Sequence, residues 1–360
     1  MKHLFLIVAI CLLPAFSWAG KHSYADQSVL STGNIVKIRV SQTAIHAVTY
    51  DELKEWGLQP EKVRVLGYGG NMLSENFTQH KWDDLPSVAF YMHKGSDGLF
   101  NSGDYILFYA QGSIGWQYVS GKWQHTRNPY SDYGYYFLSD SAGEQRLITA
   151  NEALDATHAY EVDWFTDYLL HEVDKINLID KTGVNGGGRE FYGESMQSQP
   201  LSITFPTQHV RTDMQMQCVA HVAATSSALS TITMQLANKQ SSVILPGIPS
   251  SDFETKAESN ALQLQTPAIE TGKQTVTLRF ESNDGIAMGY LNYIELNVPS
   301  HLVMRNNAMA ISNTKYLSQK QNTRFVLSNA TSATQIWRVT DGVNIEQMPT
   351  TFSQGTISWV

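Results

Sequence analysis

The alternation of apolar and polar positions along this chain predicts a protein built almost entirely from β-strands. Near the start, Val36, Ile38 and Val40 alternate with polar residues, the period-two pattern of a strand with one buried face. Clusters of Gly, Asn, Asp and Pro separate further apolar segments and place turns between them. We expect strands at 63–66, 88–92, 105–109, 135–138, 201–205, 214–224, 231–236, 274–281 and 290–298.

One short helix interrupts this pattern. Thr49 can act as its N-cap because Glu52 follows three residues later, which is the spacing of a capping box. Gly57 is placed to end the helix. Tyr50, Leu53 and Trp56 would then share one face.

The order of these elements predicts a mainly β protein with four parts after a leader. Residues 20–160 form an N-terminal β-rich domain, and residues 161–188 form a bridge with a Gly-rich loop at 186–188. Regularly spaced strands at 189–300 predict an antiparallel, jelly-roll-like β-sandwich. Residues 301–360 hold a connecting β segment.

Residues 1–19 are typical of a Sec signal peptide. Lys2 precedes an apolar run at 4–13, and small residues up to Ala19 favour cleavage before Gly20. The apolar run is too short to span a bilayer, and no later run is long enough. The sequence therefore predicts an exported protein with no transmembrane segment after signal cleavage.

Composition argues against one functional class, nucleic-acid binding, and limits the covalent links that the chain can form. The formal net charge is −8, and removal of Lys2 with the leader makes it one unit more negative. Charged residues make up 16% of the chain, against roughly 25% in ordinary domains, and there is no basic patch. We therefore expect no nucleic-acid partner. Cys218 is the one cysteine left after cleavage, so no intramolecular disulfide can form.

Seven sequence blocks resemble a known family in their order and in their residues. They lie at 67–77, 83–91, 97–112, 128–138, 175–183, 290–298 and 325–341. The chain resembles the N-terminal, non-catalytic region of the PorU family, the gingipain-like cysteine peptidases that act as sortases in the bacterial type IX secretion system. In that family the catalytic domain follows this region. The resemblance thus implies the front part of a sortase, truncated before its catalytic domain.

The resemblance also implies a role and a location. Complete members of the family remove C-terminal sorting domains from cargo and attach the cargo to surface lipopolysaccharide. They work with the outer-membrane protein PorV. We accordingly expect an accessory region exported by Sec and displayed on the outer-membrane surface, with PorV, other attachment-complex subunits or cargo as partners.

No residue qualifies as a catalytic thiol on sequence grounds. Cys218 lies in an alternating segment that places Met216 and Ala220 on its own face. His221 is an odd number of residues away and points to the opposite face, whereas a cysteine peptidase needs a histidine within reach of the thiol. The sequence therefore predicts a structural core cysteine, and no catalytic residue is assigned.

Cofactor and metal patterns are incomplete. His171 and Glu172 begin a zinc-peptidase motif, but Lys175 stands where the second histidine is required. No cofactor is therefore assigned. Asp97, Asn101 and Asp104 form a weak calcium-loop candidate that lacks EF-hand spacing, and a simple hairpin turn explains the same residues.

Two other functional classes remain open. The chain could be a stand-alone secreted β-sandwich module that binds glycan or protein, with Trp116, Tyr118 and Trp123 as an exposed stacking surface. Aromatic residues in strands are more often part of a core, which argues against that surface. The chain could also be an inhibitory pro-segment of a gingipain-like peptidase.

Overall fold

The chain is nearly all β-structure, as the sequence predicts. The structure is a computed structural model that describes residues 24–360 apart from 77, 80–81, 153–156, 179–189, 253–254, 271, 317–318 and 320. The predicted signal peptide at 1–19 and the glycines at 186–188 lie outside the described residues.

The first part of the chain forms two small antiparallel sheets and a hairpin. Its strands are β1 (Ile35–Val40), β2 (Ala44–Thr49), β3 (Arg64–Leu66), β4 (Ser87–Val88), β5 (Phe90–His93), β6 (Tyr105–Ala110), β7 (Ile114–Val119), β8 (Lys122–Arg127) and β9 (Gly134–Ser139). One sheet has the order β1-β9-β3-β4, the other has the order β2-β6-β5, and β7 pairs with β8. Between the sheets lies a core that includes Val40, Val65, Phe90, Phe108 and Tyr136.

Helix α1 (Tyr50–Glu55) follows β2 and has the predicted capping box. Glu52 donates its backbone N–H to Thr49 Oγ1 at 3.2 Å, and Thr49 donates its own backbone N–H to Glu52 Oε2 at 2.8 Å. Leu53 is fully buried, whereas Trp56 after the C-terminal end is 39% exposed. A short 3₁₀ helix at Pro60–Lys62 leads into β3.

Among the described residues, no helix has the length and apolar character needed to cross a bilayer.

The middle of the chain forms a sandwich of two antiparallel sheets. Its strands are β11 (Trp164–Glu172), β13 (Leu201–Pro206), β14 (Gln215–Thr225), β15 (Ser230–Leu236), β16 (Lys239–Leu245), β17 (Glu258–Pro267), β18 (Lys273–Ser282) and β19 (Met288–His301), with β10 (Tyr160–Val162) before them and β12 (Ser195–Met196) between β11 and β13. One sheet has the order β11-β19-β14-β17, and the other has the order β13-β18-β15-β16.

This strand order confirms the jelly-roll prediction. If the eight sandwich strands are counted in chain order, the first, eighth, third and sixth form one sheet, and the second, seventh, fourth and fifth form the other. That is the arrangement of a jelly roll. Both sheets contribute to one core, because inward residues of β14 such as Met216 and Val222 pack with Ile232, Leu278 and others from the facing sheet.

The structure revises the sequence interpretation of residues 161–188. We expected a bridge there, but Trp164–Glu172 form the edge strand β11 and pair with β19 along their whole length. The sequence lacks the alternating pattern of a strand here because almost every residue of β11 is half-buried. A strand covered on both faces does not show clean period-two alternation.

The last part of the chain, where the sequence predicts a connecting β segment, contains five strands among the described residues. They are β20 (Thr323–Leu327), β21 (Trp337–Val339), β22 (Ile345–Gln347), β23 (Thr351–Ser353) and β24 (Thr356–Trp359). β10 runs parallel to β20 in a sheet of order β10-β20-β24-β23. Residues from this part bury Phe165 of β11, and the backbone N–H of Ala89 donates to the carbonyl of Val343. The C-terminal part therefore contacts both the sandwich and the N-terminal sheets.

Candidate functional site at the hairpin–sandwich junction

The β7–β8 hairpin lies on the outer face of the sandwich sheet that contains β11 and β19. Cross-strand pairing of Trp116 with His125, and of Tyr118 with Trp123, places four ring-bearing side chains on one face of the hairpin. Directly beneath, Tyr168 of β11 is paired with Asn297 of β19. The hairpin thus presents rings to a sheet surface that carries polar groups.

Side chains of β19 form hydrogen bonds with backbone groups at the free edge of β8. Trp123 donates its backbone N–H to Asn297 Oδ1 at 2.8 Å, and Asn297 Nδ2 donates back to the Trp123 carbonyl at 3.0 Å. Two residues further along β8, the backbone N–H of His125 donates to Glu295 Oε1 at 2.7 Å. Asn297 and Glu295 are buried by these contacts. The two side chains therefore take the place of a neighbouring strand.

A buried ionic cluster lies next to these bonds. The ring of His125 donates from Nδ1 to Glu295 Oε1 at 2.7 Å, and its Nε2 lies 3.5 Å from Glu172 Oε2. Arg127 donates from Nε to Glu172 at 2.6 Å and lies 3.3 Å from Asp174. The side chains of His125, Glu172 and Glu295 are each no more than 7% exposed. Their charges therefore interact with little screening by water.

The cluster holds His125 in its charged form. Burial opposes this charge, but hydrogen bonds and the charges of Glu172 and Glu295 outweigh burial and raise the pKa of His125 to about 9. Burial also opposes the charged form of Glu172, which by itself would raise the pKa of this carboxyl. Hydrogen bonds and the charges of His125 and Arg127 outweigh burial, so the pKa of Glu172 is lowered. An imidazole that is already protonated at neutral pH cannot act as a general base there. The charged hydrogen bonds of the cluster instead hold the hairpin against the sheet.

A second histidine on the same sheet surface, His221, is held in its neutral form. His221 stacks on Tyr293 with ring centroids 5.6 Å apart, and its Nδ1 lies 3.2 Å from Asn292 Nδ2. Burial lowers the pKa of His221, and the more exposed Glu190, 3.5 Å away, only partly offsets this. Two histidines of one surface thus differ in charge because one has two buried carboxylate partners and the other has none.

The aromatic rings of the junction form a continuous row. Tyr168 lies between the two hairpin tryptophans, with its ring centroid 4.7 Å from that of Trp116 and 5.2 Å from that of Trp123. Tyr118 packs on Trp123 and is 44% exposed. The stacking surface expected at Trp116, Tyr118 and Trp123 is thus not fully open, because both tryptophans are half-buried against Tyr168.

A cleft of about 760 Å³ opens beside this row. Residues 71–75 form one wall, and the hairpin strands together with Tyr109 and Tyr168 form the others. This volume falls within the roughly 300–1,000 Å³ range of small-ligand sites. The cleft combines aromatic rings with side-chain amides and hydroxyls, which suits a polar ligand that has apolar faces.

The structure places Cys218 in the sandwich core. It is 1% exposed, and its thiol lies 3.6 Å from the sulfur of Met234. Burial raises the pKa of Cys218 to about 12, so the thiolate required of a nucleophile does not form near neutral pH. His221, on the same strand, lies on the opposite face with Asn292 and Tyr293.

The calcium-loop candidate is a turn in which each carboxylate accepts hydrogen bonds. Asp97 accepts from the backbone N–H of Leu99 at 3.0 Å and from the side chain of Asn101 at 2.7 Å. Asp104, which is buried, accepts from the backbone N–H groups of Gly95 and Asn101. Within the described ranges, no three His, Cys, Asp or Glu side chains are grouped to hold a metal ion. Whether the loop binds calcium in solution stays a prediction.

The ionic cluster could not be found from the sequence. His125 and Glu295 are separated by 170 positions, and no local motif connects them. His171 and Glu172, which begin the incomplete zinc-peptidase motif, have different partners in the structure. His171 pairs with Glu194 at 2.9 Å, while Glu172 belongs to the junction. The feature of the sequence that pointed to this junction was the group of aromatic residues at 116–123.

The fold has a counterpart among solved structures. A crystal structure of dimeric latent PorU from Porphyromonas gingivalis aligns with 93% of this chain at a TM-score of 0.81. The chain has the fold of part of PorU. The aligned residues are 24% identical, and the match covers 31% of the PorU chain. The expected resemblance to PorU is thus confirmed for the fold, over about a third of the length of that protein.

Other structural similarities are much smaller. A carbohydrate-binding module CBM36 in complex with calcium and xylotriose matches 36% of this chain and 98% of its own at 16% identity and a TM-score of 0.23. The CBM36-1 domain of a multidomain xylanase from the hindgut metagenome of Trinervitermes trinervoides matches 36% of this chain and 96% of its own at 11% identity and the same TM-score. TM-scores this low do not establish a shared fold.

No protein-family model matches the sequence. No curated protein matches it either.

Proposed function

We propose that this chain is the non-catalytic region of a PorU-like protein of the type IX secretion system. The observation that supports this most strongly is the TM-score of 0.81 over 93% of the chain with PorU. The seven sequence blocks that resemble the family support the same assignment.

The role proposed for this region is structural and interactive. Cys218, the free cysteine of the described residues, is buried with a strongly raised pKa, which argues against a nucleophile in this part of the chain. A jelly roll with a hairpin locked onto it is instead a rigid platform. In the proposed role it supports a gingipain-like catalytic domain that removes sorting domains from cargo and attaches the cargo to lipopolysaccharide.

The proposed location is the outer-membrane surface after export by Sec, and the proposed partner is PorV. Both proposals rest on the family resemblance and on the leader-like sequence at 1–19. Fractionation of the native bacterium with an antibody against this chain tests the location. We expect the protein in the outer-membrane fraction and accessible to added protease on intact cells.

Affinity purification after mild cross-linking tests the partner. We expect PorV to be enriched with the tagged protein, relative to a strain in which an unrelated outer-membrane protein carries the same tag. Recovery of the protein from the cytosol, or equal PorV recovery from both strains, would contradict the proposal.

A further inference from the structure

The two outer edges of the β7–β8 hairpin differ in how their backbone groups are paired. On β8, the backbone N–H groups of Trp123 and His125 point away from β7, because they donate to side chains of β19. In an antiparallel pair, two facing residues that do not exchange hydrogen bonds both direct their backbone groups outward. Trp116 and Tyr118, which face His125 and Trp123, therefore direct their N–H and C=O groups away from β8.

These outward groups of β7 form a free strand edge. No described residue donates to or accepts from the backbone of Trp116 or Tyr118 on this side of the hairpin. At one end of the strand, Thr43 Oγ1 donates to the carbonyl of Ile114 at 3.1 Å, so the free edge begins after Ile114. Alternating donors and acceptors of this kind match the main chain of an extended peptide.

β7 also lacks the features that commonly keep a strand edge from pairing. Natural edge strands carry charged side chains or proline, or are interrupted by bulges. In this chain the edge strand β1 contains Lys37 and Arg39, and the edge strand β13 ends in Pro206. β7 has neither a charged residue nor a proline, and its register with β8 is continuous. Its edge is therefore chemically suited to pair with a further strand.

The cleft of about 760 Å³ follows this free edge. Both faces of β7 contribute to its lining, since Trp116 and Gln117 are adjacent residues of one strand and point to opposite faces. The wall at 71–75 includes Met72 and Leu73, which are 36% and 50% exposed. The cleft thus offers a peptide a strand edge for its main chain and apolar groups for its side chains.

The shape and charge of the cleft favour a single uncharged peptide strand. The wall at 71–75 lines the cleft together with β7, so a second copy of this chain could not bring its own hairpin against β7 without displacing that wall. The charged lining residues are Glu75 and Arg127, one of each sign, and Arg127 is bound to Glu172 and Asp174. A strongly charged peptide therefore finds no cluster of opposite charge here.

We propose that β7 binds an extended, uncharged peptide segment of another protein as an added β-strand. The main chain of the peptide pairs with Trp116 and Tyr118, and its apolar side chains contact Met72 and Leu73. The edge from Ile114 to Tyr118 is about 13 Å long at about 3.3 Å per residue, so a segment of about five residues covers it. The proposal stands on the hairpin and its cleft and does not depend on the PorU-like role.

The test is a fluorescence-anisotropy screen of the purified chain against labelled, end-capped heptapeptides that alternate Val, Leu or Phe with Thr, Ser or Gln. We expect at least one peptide to bind with a micromolar Kd. Amide hydrogen exchange then locates it. At about ten times Kd, exchange should slow by about tenfold at Trp116 and Tyr118. It should change little at Gly115 and Gln117, whose N–H groups face β8.

N-methylated forms of the best peptide test for strand pairing. Methyl groups on alternate nitrogens remove the N–H groups along one edge of the peptide and leave the other edge intact. We expect one methylated form to bind at least about tenfold more weakly and the other to bind like the parent peptide, because one edge of an added strand pairs with β7.

Two substitutions in the protein test the same site. Tyr118→Pro removes an outward N–H at a position where an edge strand tolerates proline, and Tyr118→Thr is its control because it keeps the N–H. Leu73→Glu places a charge in the opposite wall, and Leu99→Glu is its control because Leu99 is 65% exposed and lies outside the cleft. We expect Tyr118→Pro and Leu73→Glu to weaken binding by about tenfold and both controls to bind nearly as well as the wild type.

Four results would overturn the proposal. They are the absence of binding by every peptide at millimolar concentration, binding that leaves exchange at Trp116 and Tyr118 unchanged, and equal binding by the parent peptide and both methylated forms. The fourth is slowed exchange at Trp116 and Tyr118 that grows with protein concentration in the absence of peptide, which would make a second copy the occupant. If Tyr118→Pro fails to fold, as judged by circular dichroism, Leu73→Glu decides the question because Leu73 lies at the surface.

Discussion

The charge of His125 should make the stability of this protein depend on pH in a way that one substitution removes. The pKa of His125 is about 9 in the folded chain, against 6.5 for an ordinary histidine. Between these values the folded state keeps a proton that the unfolded state releases. The contribution of His125 is therefore fully present below pH 6.5 and is lost as the pH rises through 9.

The magnitude follows from the size of the shift. Each pH unit in this window should lower the free energy of unfolding by about 1.4 kcal/mol, which gives roughly 3 kcal/mol in total. The measurement should stop near pH 8.5, because burial raises the pKa of Cys218 to about 12 and ionisation of this thiol in the unfolded state would lower stability above that pH. Burial raises the pKa of Tyr168 and Tyr293 to about 12, so their ionisation in the unfolded state would lower stability further above pH 10.

The assay is urea denaturation of the wild type and of His125→Gln, followed by tryptophan fluorescence and circular dichroism at several pH values from 6 to 8.5. We expect the free energy of unfolding to decline with pH in the wild type and to stay nearly level in His125→Gln. His209→Asn is the matched control, because His209 is exposed and its left-handed backbone suits asparagine. An equal decline in His125→Gln and wild type would refute the assignment of the cluster.

Three further predictions concern single residues. The isolated chain should show no turnover of a labelled sorting-domain substrate, and Cys218→Ala should instead lower the free energy of unfolding by on the order of 1 kcal/mol through lost packing; turnover abolished by this substitution would contradict the core assignment. A chelator should leave the Tm unchanged, whereas a rise of several degrees on adding millimolar calcium, lost in Asp97→Ala, would establish an ion site in that turn. Thr49→Ala should destabilise the protein by about 1 kcal/mol because it removes the cap of α1, and Thr32→Ala, at an exposed position in a loop, provides the comparison in urea denaturation. An effect of Thr49→Ala no larger than that of Thr32→Ala would show that the capping box contributes little.

Local patterns were sufficient to predict much of the fold. The capping box at Thr49 and Glu52 formed as expected because all of its atoms lie within one turn of helix. The strand at 214–224 was equally clear, because Met216 and Cys218 face the core while the neighbouring glutamines do not. Alternation is a reliable signal where one face is buried and the other meets water.

Local patterns could not predict the contacts at the hairpin–sandwich junction. β11 has no alternation because the hairpin covers its outer face, and Glu295 looks like a solvent-facing residue of β19 until His125 is placed above it. Burial of a carboxylate depends on contacts that arise only when distant segments pack together. Tyr168 likewise gave no sign that it separates two tryptophans from another part of the chain.

Processing of cargo in the native bacterium tests the proposed PorU-like role most directly. An in-frame chromosomal deletion of residues 190–301 removes most of the jelly roll, and mass spectrometry of secreted proteins then reports whether their C-terminal sorting domains have been removed. The control is the same strain complemented with the intact gene. We predict that cargo retains its sorting domains in the deletion strain and is processed again in the complemented strain. Normal removal of sorting domains in the deletion strain would contradict the proposed role.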